Sequence, residues 1–148
     1  MNKIFKKIIN ILLVVLIVIL SGYFILRLFG IVSIYKVETG SMEDGIHTGD
    51  YILILKKEYY RKGEIITYKV DNYFITHRII EINENEIITK GDANNVEDEA
   101  ISKKDIVGKV IYNGGLLNIL IQYKFVISGL FIILYLLTCY IDTKTKVK

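Results

Sequence analysis

The apolar run from Ile8 to Leu26 limits what this chain can fold into more than any other feature. As a helix it would be about 28 Å long, close to the hydrocarbon thickness of a bilayer. Lys3, Lys6 and Lys7 precede the run, and only Arg27 follows it closely. This charge difference predicts an uncleaved membrane anchor with its N-terminal end in the cytoplasm and the next segment outside. A cleavable secretory signal is the alternative, but the run exceeds a usual signal core and no small-residue cleavage site follows.

A second run without charged residues extends from Phe125 to Ile141. The residues after it carry more positive than negative charge, with Asp142 outnumbered by Lys144, Lys146 and Lys148. This flank predicts a second membrane helix that returns the C-terminus to the cytoplasm. Because the run is short, a buried helix of the soluble part is the alternative. The predicted organisation is an anchor with a cytoplasmic N-terminus over 1–32, an extracytoplasmic domain over 33–123, and a membrane helix with a basic tail over 124–148.

The segment between the two apolar runs has the pattern of a β domain, with β-branched and aromatic stretches and no long helical period. The predicted strands are Tyr51–Leu55, Glu64–Val70, Tyr73–Ile82, Glu86–Thr89 and Ile106–Tyr112. Asp71 and Asn72 predict a tight hairpin turn, and Gly108 predicts a bulge or a close-packing point. Short antiparallel strands in so small a domain predict a mainly β fold, a coiled sheet or partly open barrel between two transmembrane helices.

Composition excludes several functional classes. The net charge is +3; Lys3, Lys6, Lys7, Lys144, Lys146 and Lys148 lie at the flanks and the middle of the chain is mildly acidic, which gives no reason to expect a nucleic-acid partner. The single cysteine excludes an intrachain disulfide. Glu97, Asp98 and Glu99 lack regular ligand spacing, and no glycine-rich phosphate loop is present. We therefore predict no metal and no cofactor.

Ser41, in the stretch Thr39-Gly40-Ser41-Met42, is the candidate nucleophile because it lies at the exit of the predicted anchor. A serine hydroxyl is a weak nucleophile and needs a positioned base and donors for the oxyanion. The two histidines, His47 and His77, are the candidate bases, because imidazole can accept and return a proton near neutral pH. His77 lies in a predicted strand that could aim it, whereas His47 lies in a loop close to Ser41.

The polar loop Lys90–Asn95, followed by Asp98, offers carboxylates that could hold a histidine in the required tautomer. An ordinary turn rich in Asp, Asn and Gly is the alternative interpretation of the same residues.

Taken together, these motifs resemble those of type I signal peptidases of the endoplasmic-reticulum and archaeal-type branch, which also occurs in some Gram-positive bacteria. The resemblance covers most of residues 38–110. The matching motifs are Gly40-Ser41-Met42 with Gly49-Asp50, Gly63-Glu64-Ile65-Ile66, Thr76-His77-Arg78-Ile79, Lys90-Gly91-Asp92-Ala93-Asn94-Asn95 with Asp98, and Val107-Gly108-Lys109-Val110.

The resemblance implies a role for each matching residue. Ser41 would be the nucleophile and His77 the general base, where the other bacterial branch has lysine. Asp92 would be the supporting carboxylate, with Asp98 as a second acidic candidate. The backbone N–H of Ser41 and the side chain of Thr39 would meet the oxyanion.

Two further residues of the motif around Ser41 are expected to shape the substrate groove. Met42 joins Thr39 in the predicted oxyanion and substrate-binding set. Asp44 occupies a position at which the family usually has proline, so the pre-set backbone of proline is lost there.

The implied function is that of a membrane-bound serine endopeptidase, a signal peptidase I that removes N-terminal signal peptides from secreted precursors. Its partners would be those precursors and the lipid bilayer, without nucleic acid, and the sequence leaves the oligomeric state open. The catalytic domain would face the extracytoplasmic side of the cell membrane, with both termini cytoplasmic. The alternative is a catalytically inactive, membrane-anchored β domain that binds or scaffolds a partner. A self-cleaving repressor-type protease is disfavoured because no DNA-binding region is present.

Overall fold

The structure is a computed structural model that describes residues 3–84 and 86–146. The chain divides into two compact units. One unit comprises Met1–Ile25 and Ile119–Lys148, and the other comprises Leu26–Asn118. The predicted boundaries of the anchor, the extracytoplasmic domain and the C-terminal helix stay predictions.

The first apolar run forms helix α1, Lys3–Leu28. Most of its large apolar side chains are not covered by other residues of the chain. Such exposure is compatible with a helix whose surface contacts lipid. Among the described residues, Lys7–Leu28 is the single helix that is long and apolar enough to cross a membrane without a break. The prediction of an N-terminal apolar helix is confirmed, and anchoring is compatible with it.

The second apolar run, Phe125–Ile141, lies within one helix, which follows a shorter helix at an angle. Helix α2, Gly115–Gln122, precedes helix α3, Lys124–Lys146. Over the part of α3 that reaches Leu137, the two helices meet at an angle of 65°. The structure therefore does not show a second transmembrane helix, which stays a prediction. Helix α2 also lies inside the segment predicted to be a β domain.

The intervening residues form one antiparallel sheet of seven strands with the order β1-β2-β7-β3-β4-β5-β6. The strands are β1 Val32–Lys36, β2 Tyr51–Leu55, β3 Ile65–Val70, β4 Tyr73–Ile82, β5 Glu86–Lys90, β6 Ile101–Ser102 and β7 Ile106–Asn113, with a 3₁₀ turn at Lys103–Asp105. Strands β1 and β6 are the two ends of the order, so the sheet is not closed. The predicted mainly β fold is confirmed, and two short strands, β1 and β6, escaped the sequence analysis.

The predicted turn and close-packing point are both present. Asp71 begins the turn between β3 and β4 with φ of 52°, a left-handed conformation that Asp tolerates. A Cβ atom at Gly108 would lie 2.6 Å from the carbonyl oxygen of Leu55 on the neighbouring strand. The β3–β7 register shifts between Thr67 and Tyr68, beside Gly108. Glycine at 108 thus lets two backbones approach next to a bulge.

Apolar side chains pack into two separate clusters, and this division positions the site. One cluster contains Ile66, Tyr68, Ile79, Ile87, Ile101 and Ile106. The other contains Met42, Ile46, Ile52 and Ile54. Fully burying a side chain of this size stabilises the fold by roughly 1.5–3 kcal/mol. The second cluster therefore fixes the loop that follows β1, because Met42 and Ile46 belong to that loop.

Candidate active site

Ser41 stands at the start of a tight turn that the core holds in place. The N–H of Glu43 donates to the carbonyl of Gly40 at 3.0 Å, and the N–H of Ile46 donates to the carbonyl of Met42 at 2.9 Å. Met42 is 2% exposed and Ile46 is 1% exposed. Because both residues are anchored in the core, the backbone that carries Ser41 has little freedom to move.

The loop after β5 presses against the same turn. The N–H of Ala93 donates to the carbonyl oxygen of Ser41 at 3.0 Å. A Cβ atom at Gly91 would lie 2.5 Å from that oxygen, a distance that side-chain carbons do not tolerate. Glycine at 91 therefore permits the close approach that couples the polar loop to Ser41.

His77 connects the serine to a carboxylate. It lies on β4 and is 6% exposed. Its Nε2 is 2.9 Å from Ser41 Oγ, and its Nδ1 is 2.5 Å from Asp98 Oδ2. An ionised carboxylate can only accept, so we assign the proton to Nδ1, which leaves Nε2 free to accept from the serine hydroxyl.

Asp92 lies elsewhere, and the expectation that it supports His77 does not match the contacts. Arg78 Nε donates to Asp92 Oδ1 at 2.8 Å, and Arg78 Nη2 donates to Asp92 Oδ2 at 2.6 Å. Neighbouring residues on a strand point to opposite faces, so Arg78 and His77 recruit different carboxylates. The hydrogen bonding of Arg78 to the Asp92 carboxylate outweighs burial and raises the pKa of Arg78.

His47, the other candidate base, lies in an exposed ion pair. Its Nδ1 is 2.8 Å from Glu43 Oε2. That hydrogen bond raises the pKa of His47 and lowers the pKa of Glu43. Glu43 also accepts from the backbone and hydroxyl of Thr48, at 3.2 and 3.1 Å. The His47–Glu43 pair lies on the exposed side of the loop. The histidine that contacts Ser41 is His77.

The aspartate of the Gly49-Asp50 motif has a structural role. Asp50 Oδ2 accepts from the N–H of His47 at 3.1 Å, and its Oδ1 accepts from the amide of Asn118 at 2.7 Å. Asn118 in turn accepts from the N–H of Tyr51 at 2.7 Å. These contacts tie the loop after Ser41 to β2 and to the start of α2.

The two predicted substrate-binding residues have different environments. Thr39 is exposed and lines a groove beside Ser41. Met42 also borders the groove but is buried in the core, and its Sδ accepts from the N–H of Asp92 at 3.4 Å. Met42 therefore packs beneath the site and exposes little surface to a substrate.

The groove has a volume of about 730 Å³. Its walls are the end of β1 with the residues that follow, and the hairpin of β3 and β4. Strand β5 pairs with β4 only over Arg78–Ile82. In the part of the chain that the structure describes, Tyr73–His77 has no strand partner on that side, so a free strand edge runs along the groove to His77. Tyr35 and Phe74 approach across the groove with ring centroids 4.7 Å apart.

Two residues beside Asp98 were not among the predicted site residues. Thr89 and Tyr68 both contact Asp98 Oδ2, and both are buried. The only signal for Thr89 is a hydroxyl inside the otherwise apolar centre of β5. Within the described ranges, 3–84 and 86–146, no group of acidic, histidine and cysteine side chains has the arrangement of a metal site.

A serine hydroxyl, an imidazole and a carboxylate linked in this order are the arrangement of serine hydrolases, which recurs on unrelated folds. The comparisons with known proteins give the family. The model of the Peptidase S24-like family matches residues 30–111, more than half of the chain, and the chain belongs to this family. The superfamily includes LexA-type proteins and signal peptidases, and the match supports serine-peptidase chemistry. A search of curated proteins finds no match.

Proposed function

We propose that the chain is a membrane-bound serine endopeptidase that removes N-terminal signal peptides from secreted precursors. The observation that carries the proposal is the pair of contacts at His77, with Ser41 Oγ on one ring nitrogen and Asp98 on the other. The motif order resembles the endoplasmic-reticulum and archaeal-type branch of signal peptidases. Membership of the Peptidase S24-like family supports the chemistry at a coarser level.

The reaction follows from these contacts. Ser41 Oγ attacks the carbonyl carbon of the scissile peptide bond while His77 Nε2 takes the hydroxyl proton. The N–H of Ser41 and the hydroxyl of Thr39 stabilise the oxyanion. Collapse of the tetrahedral intermediate breaks the C–N bond, and His77 passes its proton to the leaving amine. His77 then takes a proton from water, the hydroxide attacks the carbonyl of the acyl-enzyme ester, and the ester C–O bond breaks as His77 returns the proton to Ser41 Oγ.

The free edge of Tyr73–His77 suits an extended substrate. A peptide that adds to this edge by main-chain hydrogen bonds is led along the groove toward His77 and Ser41. Small side chains before the scissile bond fit beside the Tyr35 and Phe74 rings. Helix α1 anchors the enzyme in the cell membrane, with the catalytic domain outside and both termini in the cytoplasm. A precursor held in the same bilayer is then presented at high effective concentration.

The test uses the full chain in detergent with a precursor that carries a cleavable signal peptide. The native chain should cut the precursor, and Ser41→Ala and His77→Gln should lower the rate by about a thousandfold or more. His47→Gln is the matched control, because it removes an exposed histidine that pairs with Glu43. Precursor cleavage that persists in Ser41→Ala would contradict the assignment of Ser41 as the nucleophile. A folded native chain that cuts no precursor would favour a non-catalytic binding domain.

A further inference from the structure

One oxygen of Asp98 is the meeting point of three side chains. Asp98 Oδ2 is 2.5 Å from His77 Nδ1, 2.7 Å from Thr89 Oγ1 and 3.1 Å from the hydroxyl of Tyr68. Thr89 Oγ1 is also 3.0 Å from the Tyr68 hydroxyl. The carboxylate is therefore surrounded by donors, and two of them belong to residues that do not touch Ser41.

Thr89 holds Asp98 at two points. Its hydroxyl contacts the carboxylate, and its carbonyl accepts the N–H of Asp98 at 2.8 Å. The threonine is 0% exposed and pairs with Ile79 across the β4–β5 ladder. Asp98 itself lies in the long connection between β5 and β6. A loop carboxylate is thus fastened to the rigid strand next to the one that carries His77.

Tyr68 completes the arrangement from β3. It is 1% exposed, and burial raises its pKa to about 12. The phenol therefore keeps its proton at neutral pH and remains a donor. Donors to an ionised carboxylate stabilise its charged form and fix its rotamer.

We propose that Thr89, assisted by Tyr68, is a positioning residue that aims Asp98 at His77 and so fixes the tautomer of the base. The inference rests on the proposed function. Thr89 is absent from the lining of the groove, so its hydroxyl acts on the chemical step and not on substrate binding. Loss of that hydroxyl lets Asp98 adopt other rotamers, and Nδ1 of His77 no longer carries the proton in every molecule.

The kinetic test replaces Thr89 by valine, which has nearly the same shape. Thr89→Val should lower kcat about tenfold with little change in KM, because hydrogen bonds to charged groups belong to the stronger class. Thr89→Ser keeps the hydroxyl and should restore most of kcat. Tyr68→Phe should lower kcat in the same direction but less, since its contact is the longer one. This variant also keeps the test open if Thr89→Val folds poorly.

Thr67→Val is the matched control for stability and for the His77 spectrum, but not for kinetics, because Thr67 borders the groove. Thr67 is equally buried, but its hydroxyl bonds to Thr76 at 2.8 Å and not to Asp98. It accounts for the general cost of removing a buried hydroxyl from this sheet. Unfolding by denaturant measures that cost in both variants.

A spectroscopic measurement tests the inference without any substrate. The chain contains two histidines, so ¹⁵N-labelled imidazoles in the full chain, with His47→Gln for assignment, isolate the signals of His77. The native chain should show the Nδ1–H tautomer, and Thr89→Val should show a mixture, whereas Thr67→Val should not. These three spectra in a chain that has no peptidase activity would support the positioning role of Thr89 and contradict the proposed function. Native kcat and a native His77 spectrum in Thr89→Val would overturn the inference.

Discussion

Arg78 and Asp92 form a two-pronged ion pair that joins β4, one residue after the candidate base, to the loop that touches the candidate nucleophile. Arg78 Nη1 also donates to the carbonyl of Gly63 at 2.9 Å. The guanidinium therefore ties strand β4 to the loop after β5 and to the turn before β3. The pair is partly exposed, with side-chain exposures of 39% for Arg78 and 23% for Asp92.

We expect Asp92→Asn to change the stability of the domain more than its chemistry. The variant should lower the free energy of unfolding by about 1 kcal/mol, because water screens much of the attraction in a partly exposed pair. It should slow precursor cleavage far less than Asp98→Asn, which changes the partner of His77. Denaturant unfolding and cleavage rates of the two variants give the comparison. An Asp92→Asn variant that is as inactive as Asp98→Asn but fully stable would place Asp92 in the catalytic set.

Asp44 provides a second prediction, because its backbone has φ of 75°. Proline fixes φ near −65°, so a proline at this position cannot be accommodated by the turn as it is built here. Asp44→Pro should cost more than about 1 kcal/mol of stability, whereas Asp44→Gly relieves the positive φ and should be neutral or stabilising. Asp44→Asn is the control for loss of the charge. Thermal unfolding of all three variants tests this, and a fully stable Asp44→Pro chain would contradict the turn geometry.

Gly91 provides a third prediction, because a methyl group there would meet the Ser41 carbonyl. Gly91→Ala must displace that carbonyl or the loop that carries Asp92. The rate of precursor cleavage should fall at least about tenfold, since small misplacements of reacting groups are costly. Gly22→Ala is a matched control in α1, where the added methyl meets nothing within 4 Å. Equal activity of both variants would show that the turn at Ser41 can shift without consequence.

The sequence predicted the parts of this molecule that depend on local pattern. Strands β2, β3, β4, β5 and β7 follow from apolar and β-branched runs, and their ends differ from the predicted ones by at most a residue or so. Strand β1 follows closely on the apolar helix α1, so its residues give no separate period. Strand β6 is two residues long, which is too short to produce a pattern.

The site was predictable as a set of residues but not as a set of contacts. Ser41 and His77 come together as expected, whereas the choice between Asp92 and Asp98 depends on how the loop after β5 folds back. That choice is made by Arg78, which attracts Asp92, and by Thr89, which holds Asp98. Both effects are long-range in sequence, so neither has a local signal. The 65° bend between α2 and α3 falls at the polar residues Gln122 and Lys124, which mark a break in the apolar pattern but do not predict its angle.

Tyr68 provides a prediction about stability at high pH. Its phenol has a folded-state pKa of about 12, raised chiefly by burial, against about 10 for an unfolded chain. The folded state therefore holds this proton more tightly, so its contribution to stability is complete below pH 10 and is lost as pH rises toward 12. Tyr68→Phe removes the group and should flatten the fall in unfolding free energy over this window.

The comparison needs a tyrosine whose side chain is exposed to water. Tyr59 is 84% exposed, so Tyr59→Phe should leave the alkaline loss of stability unchanged. Denaturant unfolding between pH 9 and 12, followed by far-ultraviolet circular dichroism, measures all three chains. If Tyr68→Phe loses stability with pH as steeply as Tyr59→Phe does, the Tyr68 hydroxyl is not buried against Asp98, and the donor network around that carboxylate is wrong.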